Sequence, residues 1–152
     1  PFGTDYIGKY ACGPTVMAMI VSTLTDTDTD PEKMSAWAYD NGYWCSGSGS
    51  YPSLIQGASK AFGIECRKAK DCDAKMLRSH LEGGGLAVAL VGPGHFTKSG
   101  HFILLHGTSP AGEVLVADPN SRKNSLALWD PQVILEEAKA SSGDGVCIWL
   151  LG

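Results

Sequence analysis

The chain has 152 residues, 43% of them hydrophobic and 18% charged, and 12 Lys and Arg against 16 Asp and Glu leave a net charge of −4. That length predicts one domain over residues 1–152, able to bury a core without staples. No basic run or aromatic-basic stripe occurs, which argues against nucleic acid or an acidic membrane surface as a partner. No apolar stretch approaches the roughly 20 residues of a membrane span.

From Cys12 to Leu24, apolar residues fall at Val16, Met17, Ile20, Val21 and Leu24, a helix period. Pro14, just inside the start, suits the first turn. The run Thr25 to Asp30 (TDTDTD) fails as a calcium loop. Counted from Asp26, Pro31 stands where an EF loop needs Gly and Trp37 where it needs an acid. Asp30 followed by Pro31 reads instead as an N-cap and first helical residue. A second helix is predicted over Pro31 to Asn41, stopped by Gly42, and a third over Tyr51 to Phe62, stopped by Gly63. A fourth runs from Asp73 to Leu81, before Gly83 to Gly85. Strand patterns dominate thereafter. Leu86 to Val91 is a continuous apolar run, and His101 to Gly107 and Glu113 to Asp118 flank a turn signal at 108–112. Asp130-Pro131 opens a helix to Lys139, and Val146 to Leu150 forms a closing strand. Helices first and antiparallel strands second predict an α+β fold, with N-terminal helices packed on a C-terminal antiparallel sheet. The sequence opens on Pro1, so a processed leader such as a signal peptide fits upstream.

The five cysteines are Cys12, Cys45, Cys66, Cys72 and Cys147. They lack CxxC or CxxH spacing, so no metal site is expected. One reactive thiol would leave four for disulfides, with Cys45–Cys66 the favoured bridge and an extracytoplasmic location implied; buried free thiols are the alternative.

The hairpin carries the first chemical signal. A loop of Thr108 to Ala111 sets Leu105 opposite Val114, Ile103 opposite Val116, and His101 opposite Asp118. All then share one face, and directly opposed Cβ atoms lie about 4.5–5.5 Å apart. Asp118 is thereby expected to accept a hydrogen bond from the His101 ring. Alone, such a pair is more often structural. Cys12 changes the weighing, because it stands at the head of a predicted helix, where the dipole stabilises a thiolate. Gly13 beside it leaves room for substrate. Alone, Cys12 would read as a small buried hydrophobe. Together the three suggest nucleophilic catalysis. His95, in a Gly-rich stretch, is off the strand and reads as part of a loop lining the cleft. His106 is expected to face Glu113 as a surface pair, and His80 to be solvated on its helix. The aromatics Trp44 and Phe96 are candidates for a substrate-binding wall, and Trp37, Trp129 and Trp149 for the core.

The segments ACGPT at 11–15, GHF before the strand at 100–102 and ADP at 117–119 resemble, in that order, the C39-like cysteine peptidases of the papain-like superfamily, in their stand-alone bacterial form. The resemblance covers about residues 6–135. It implies a papain-like fold and no cofactor. Cys12 would act as nucleophile, His101 as general base and acid, and Asp118 as its orienting acid, forming a thioester acyl-enzyme. It also implies a peptide or protein substrate, peptidoglycan stem peptides among the candidates, a monomer, and an extracellular or cell-surface location. One family element differs. Members place a Gln upstream of the cysteine, whereas Gln56 and Gln132 both lie downstream here and Tyr6 stands six residues before Cys12. Either the Gln precedes Pro1, or Tyr6 or another donor replaces it, or the domain is a weakened enzyme that binds peptides or cell-wall ligands. An acyltransferase or transglutaminase-like enzyme is chemically adjacent, since an amine can replace water.

Overall fold

Seven consecutive or near-consecutive buried side chains, from Gly13 to Val21, make the first helix a central one and not a surface amphipath. The computed structural model describes residues 12–45, 49–50, 52–69, 71–97, 100–139 and 147–152. Two compact units divide the chain, Pro1–Cys66 and Arg67–Gly152.

In the first unit, α1 (Cys12–Leu24) is flanked by α2 (Pro31–Asp40) and α3 (Leu54–Ala61). Met34 and Ala38 from α2, and Leu54, Ile55 and Ala58 from α3, are buried with Val16, Met17 and Ile20. Asp30 caps α2 as its sequence foretells, accepting from the Lys33 N–H at 2.7 Å with Pro31 in the first turn. Helix α3 starts three residues later than expected, after Pro52, because a helix seldom extends back through the residue before a proline. A two-stranded ribbon, β1 (Trp44–Cys45) with β2 (Gly49–Ser50), pairs Trp44 with Ser50. Elements of two residues carry no periodicity, so the sequence offers no sign of it.

In the second unit, the sheet order is β3-β8-β4-β5-β6-β7. Its strands are β3 (Cys66–Lys68), β4 (Leu86–Val91), β5 (His101–Thr108), β6 (Val114–Ala117), β7 (Leu128–Trp129) and β8 (Ile148–Leu151). Pairing is antiparallel at β8/β4, β4/β5, β5/β6 and β6/β7. Helices α4 (Ala74–Glu82), α5 (Arg122–Leu126) and α6 (Pro131–Lys139) complete it. One sheet face, with Ala87, Ala89, Ile103, Leu105, Val116 and Ile148, packs with Leu77 and Leu81 of α4 and Ile134 and Leu135 of α6 in one core cluster. Residues of the opposite parity, Val88, Phe102, Leu104 and Trp149, are buried too, which is why β4 reads as a continuous apolar run. The expected α+β class, with an antiparallel sheet in the C-terminal half, is what the chain adopts. No helix among the described residues is long and apolar enough to cross a membrane.

The hairpin register differs from the expected one. Leu105 lies opposite Val116, not Val114, and Thr108 opposite Val114. Two features cause this. The turn lies further along the chain, because Gly112 sits inside it at φ +83° and Gly107 pairs with Leu115 instead. The Gly112 N–H donates to Ser109 O (2.9 Å) and the Ser109 N–H to Glu113 O (2.8 Å). A bulge then falls between Leu105 and Gly107, leaving His106 as the extra, exposed residue. His106 therefore does not face Glu113, which lies across from Ser109. Since φ near +80° suits only glycine, Gly112→Ala is expected to cost about 1–2 kcal/mol, read as a lower urea midpoint at unchanged m-value.

Candidate active site

His101 is the first residue of β5 and only 3% exposed. Asp118 follows the last residue of β6, and its side chain is wholly buried. Their contact, His101 Nε2 to Asp118 Oδ1, is 2.6 Å, as expected from the sequence, though not through the expected geometry. Continuing the register past Leu104–Ala117 would set Asp118 opposite Ile103, so Asp118 meets His101 diagonally. Diagonal neighbours on an antiparallel pair are about 7–8 Å apart, within reach of an imidazole and a carboxylate. The shift from the expected register is two residues at this end. A two-residue shift preserves the face, where a one-residue slip would have turned one partner away.

The chain after β6 is wrapped around this carboxylate. The Asn120 N–H donates to Asp118 Oδ1 (2.9 Å), and the Asn124 amide donates to Oδ2 (3.1 Å). The Asp118 N–H goes to Ser125 Oγ (2.8 Å), and the Ser121 N–H to Asp118 O (3.1 Å). Burial, the largest influence, pushes the Asp118 carboxyl up. Hydrogen bonds from His101, the Asn120 backbone and the Asn124 side chain outweigh it, so the group titrates below its ordinary value. Asp118 is therefore an anion at neutral pH. An anion only accepts, so His101 Nε2 carries the hydrogen of this contact.

Cys12 occupies the first position of α1 and is half-buried, and Gly13 next to it is buried. Trp44 lies in β1 with its ring 5.4 Å from that of Tyr39. Tyr6 lies outside the described residues. Cys66 is a free thiol, so the expected Cys45–Cys66 bridge does not form, and Cys72 and Cys147 are free thiols as well. Burial raises the Cys66 thiol, partly offset by a hydrogen bond with Ser59. Burial, helped by Asp73 and opposed by Arg67, pushes Cys72 up to about 11. Both stay protonated near neutral pH and are poor nucleophiles.

His95 has a different partner. Its Nδ1 lies 2.5 Å from Glu137 Oε2, and its backbone N–H meets the other carboxylate oxygen at 2.5 Å. A Cβ at Gly94 would overlap that carboxylate, so only glycine lets Glu137 approach. Of the two histidines, Asp118 takes His101. Phe96 is buried with its ring 4.4 Å from Trp129, and His95 meets the same indole edge-on at 5.7 Å. His80, expected in solvent, is half-buried, with Nε2 2.8 Å from Leu86 O and 3.1 Å from Leu151 O. It caps strand carbonyls at the ends of β4 and β8.

Sequence reasoning missed Asn120, Ser121, Asn124, Ser125 and Glu137. A signal was present for the first four. An Asp followed by Asn and Ser within seven residues is a composition whose short side chains bond to nearby backbone. Glu137 is 42 residues from His95, and no local pattern connects them.

Because the Asp118 carboxyl is depressed by folding, its contribution to stability is present above its unfolded value, 3.8. It is lost as pH falls through the lower folded value. Urea unfolding of the parent and Asp118→Asn from pH 7 downward should show their stability difference constant near neutrality and shrinking below pH 3.8.

The Peptidase C39-like family matches over residues 3–138. No curated protein matches the chain by sequence. Among solved structures, a Bacillus anthracis protein assigned to the C39-like peptidases superimposes with a TM-score of 0.64 at 14% identity, covering 95% of this chain and 89% of that one. The peptidase domain of Streptococcus ComA, a bi-functional ABC transporter of a quorum-sensing pathway, gives 0.60 at 17%, covering 93% and 90%. A family match over most of the length, on an antiparallel sheet that presents a buried His–Asp pair, makes this chain a member of the Peptidase C39-like family with the fold of its peptidase domains.

Proposed function

We propose that the chain is a cysteine peptidase in which Cys12 is the nucleophile, His101 the general base and acid, and Asp118 the orienting anion. The observation that carries this reading is the 2.6 Å His101–Asp118 contact, buried and kept ionised, in a chain of peptidase family. A peptide is the substrate class the family implies.

The chemistry follows from the groups. His101 takes the Cys12 proton at Nδ1, and the head of α1 favours the resulting thiolate. The sulfur attacks the peptide carbonyl carbon, forming a C–S bond while the carbonyl oxygen becomes an oxyanion. Collapse breaks the C–N bond, and Nδ1–H of His101 protonates the leaving amine. A thioester remains. His101 then removes a proton from water, the hydroxide attacks the thioester, and the thiol is released. Throughout, Asp118 holds Nε2–H and stabilises the imidazolium. The Cys12 backbone N–H is one oxyanion donor and Tyr6 a candidate second, in the place of a glutamine. Trp44, His95 and Phe96 are the proposed substrate wall, with Gly13 leaving the thiol approachable. Peptidoglycan stem peptides, an extracellular or cell-surface setting and a monomeric enzyme complete the reading.

A weaker enzyme, or one that chiefly binds peptides, is favoured by one feature: no glutamine stands among residues 1–11. Loss of one oxyanion donor costs about 10²–10³ in turnover, so hydrolysis survives at a reduced rate. An acyltransferase would show itself by transferring the acyl group to an added amine in preference to water.

The test uses the full chain and a peptide-library digest read by mass spectrometry. Cys12→Ala should lower kcat/KM by on the order of 10⁴ or more. Iodoacetamide below neutral pH should modify Cys12 ahead of Cys66 and Cys72. Equal cleavage by parent and Cys12→Ala would sink the mechanism. Cys12 labelling no faster than free cysteine would leave a binding domain.

A further inference from the structure

Asn124 is held from three sides. Its backbone N–H donates to Ser121 Oγ (3.0 Å), its backbone carbonyl accepts the Trp129 indole N–H (2.9 Å), and its side-chain amide donates to Asp118 Oδ2 (3.1 Å). The last bond fixes the orientation of the amide, because a carboxylate has no hydrogen to give. The two oxygens of Asp118 thus have separate tasks. Oδ1 receives His101 and the Asn120 backbone, while Oδ2 receives Asn124. The Asn120 donor is a peptide N–H that almost any residue would supply. The Asn124 donor is a side chain, and so depends on the residue type.

Trp129, which holds Asn124, is itself wedged. Its ring packs against Phe96 at a tilt of 43° and meets His95 edge-on, and the His95 ring is bound in turn by Glu137. A continuous line of contacts therefore runs from Glu137 through His95, Trp129 and Asn124 to Asp118 and His101, all within the second unit. We propose that Asn124 is a positioning residue: its amide, on a backbone held by Trp129, pins Oδ2 of Asp118 so that Oδ1 stays aligned with His101 Nε2. The role in catalysis rests on the peptidase reading above; the role at the His–Asp pair does not.

Two measurements separate these. The first needs no substrate. In the full chain, the hydrogen-bonded His101 Nε2–H gives a downfield proton resonance that should persist on acidification until Asp118 protonates. Asn124→Leu removes the amide at similar volume, and its resonance should vanish about one pH unit higher than the parent's, since losing a donor raises a carboxyl pKa. The second is kinetic. Asn124→Leu should lower kcat about tenfold while KM changes less than about twofold. A folded Asn124→Leu that loses the resonance at the parent's pH overturns the proposal. Should Asn124→Leu not fold, Trp129→Phe keeps an aromatic ring beside Phe96 while removing the indole N–H together with the second ring. It should shift the loss of the resonance in the same direction by a smaller amount, and no shift there overturns the proposal equally. A parent chain that hydrolyses no peptide overturns the peptidase reading, while the resonance still decides the role of Asn124 at the pair.

Discussion

A carboxylate withdrawn from water is the constraint around which the second unit is arranged. The Asp118 side chain has no exposed surface, and an ionised group in that position costs several kcal/mol unless hydrogen bonds replace its hydration. The chain supplies them within ten residues. Strand β6 ends, Asp118 and Ser121 form an isolated bridge, α5 makes barely more than one turn, and β7 returns to the sheet. Each of those irregular features brings a donor to Asp118 or holds one that does. The result is an anion whose strongest partner is an imidazole, which fixes the tautomer and the ring plane of His101.

The second imidazole–carboxylate pair makes an instructive contrast. At His101 both partners are buried, whereas at His95 the carboxylate is nearly buried and the imidazole is 62% exposed. Burial of both partners suits a group whose charge must be controlled. Exposure of the ring suits an anchor that ties the loop after β4 to α6, where the Gly92 N–H also bonds the Glu137 backbone carbonyl at 2.8 Å. The anchor reaches Trp129, and Trp129 reaches the segment that holds Asp118. A series of direct contacts thus joins the 94–97 loop to the His–Asp pair.

The thiols divide along similar lines. Cys66 and Cys72 are raised by burial, which suits packing and not nucleophilic attack. Cys12 heads a helix with seven buried residues between Gly13 and Val21, which gives it a packed framework. A side chain at the end of a packed element is positioned more precisely than one on a loop.

Much of this was legible in the residue order. Helices α1, α2, α4 and α6 and strand β4 follow from apolar spacing and from the Asp and Pro residues at their starts, because those signals act over one or two turns of chain. Cys12, His101 and Asp118 were singled out by chemistry and by a family resemblance, and of these the structure brings His101 and Asp118 into contact. The His–Asp contact survived an incorrect register because side chains alternate with a period of two. Strand pairing, by contrast, was decided by the tertiary structure. The left-handed Gly112 moved the turn along the chain and the bulge at His106 reset the ladder, and neither leaves a periodic trace. The elements β1, β2, β3, α5 and β7 were beyond reach, since segments of two to five residues gain their stability from what they pack against. Glu137 with His95, and Trp129 with Asn124, were settled in the same way. Residue type and spacing determine what a segment can form locally. Which distant side chains meet depends on how the sheet and its helices close around a shared core, where water is excluded and every polar group must find its partner.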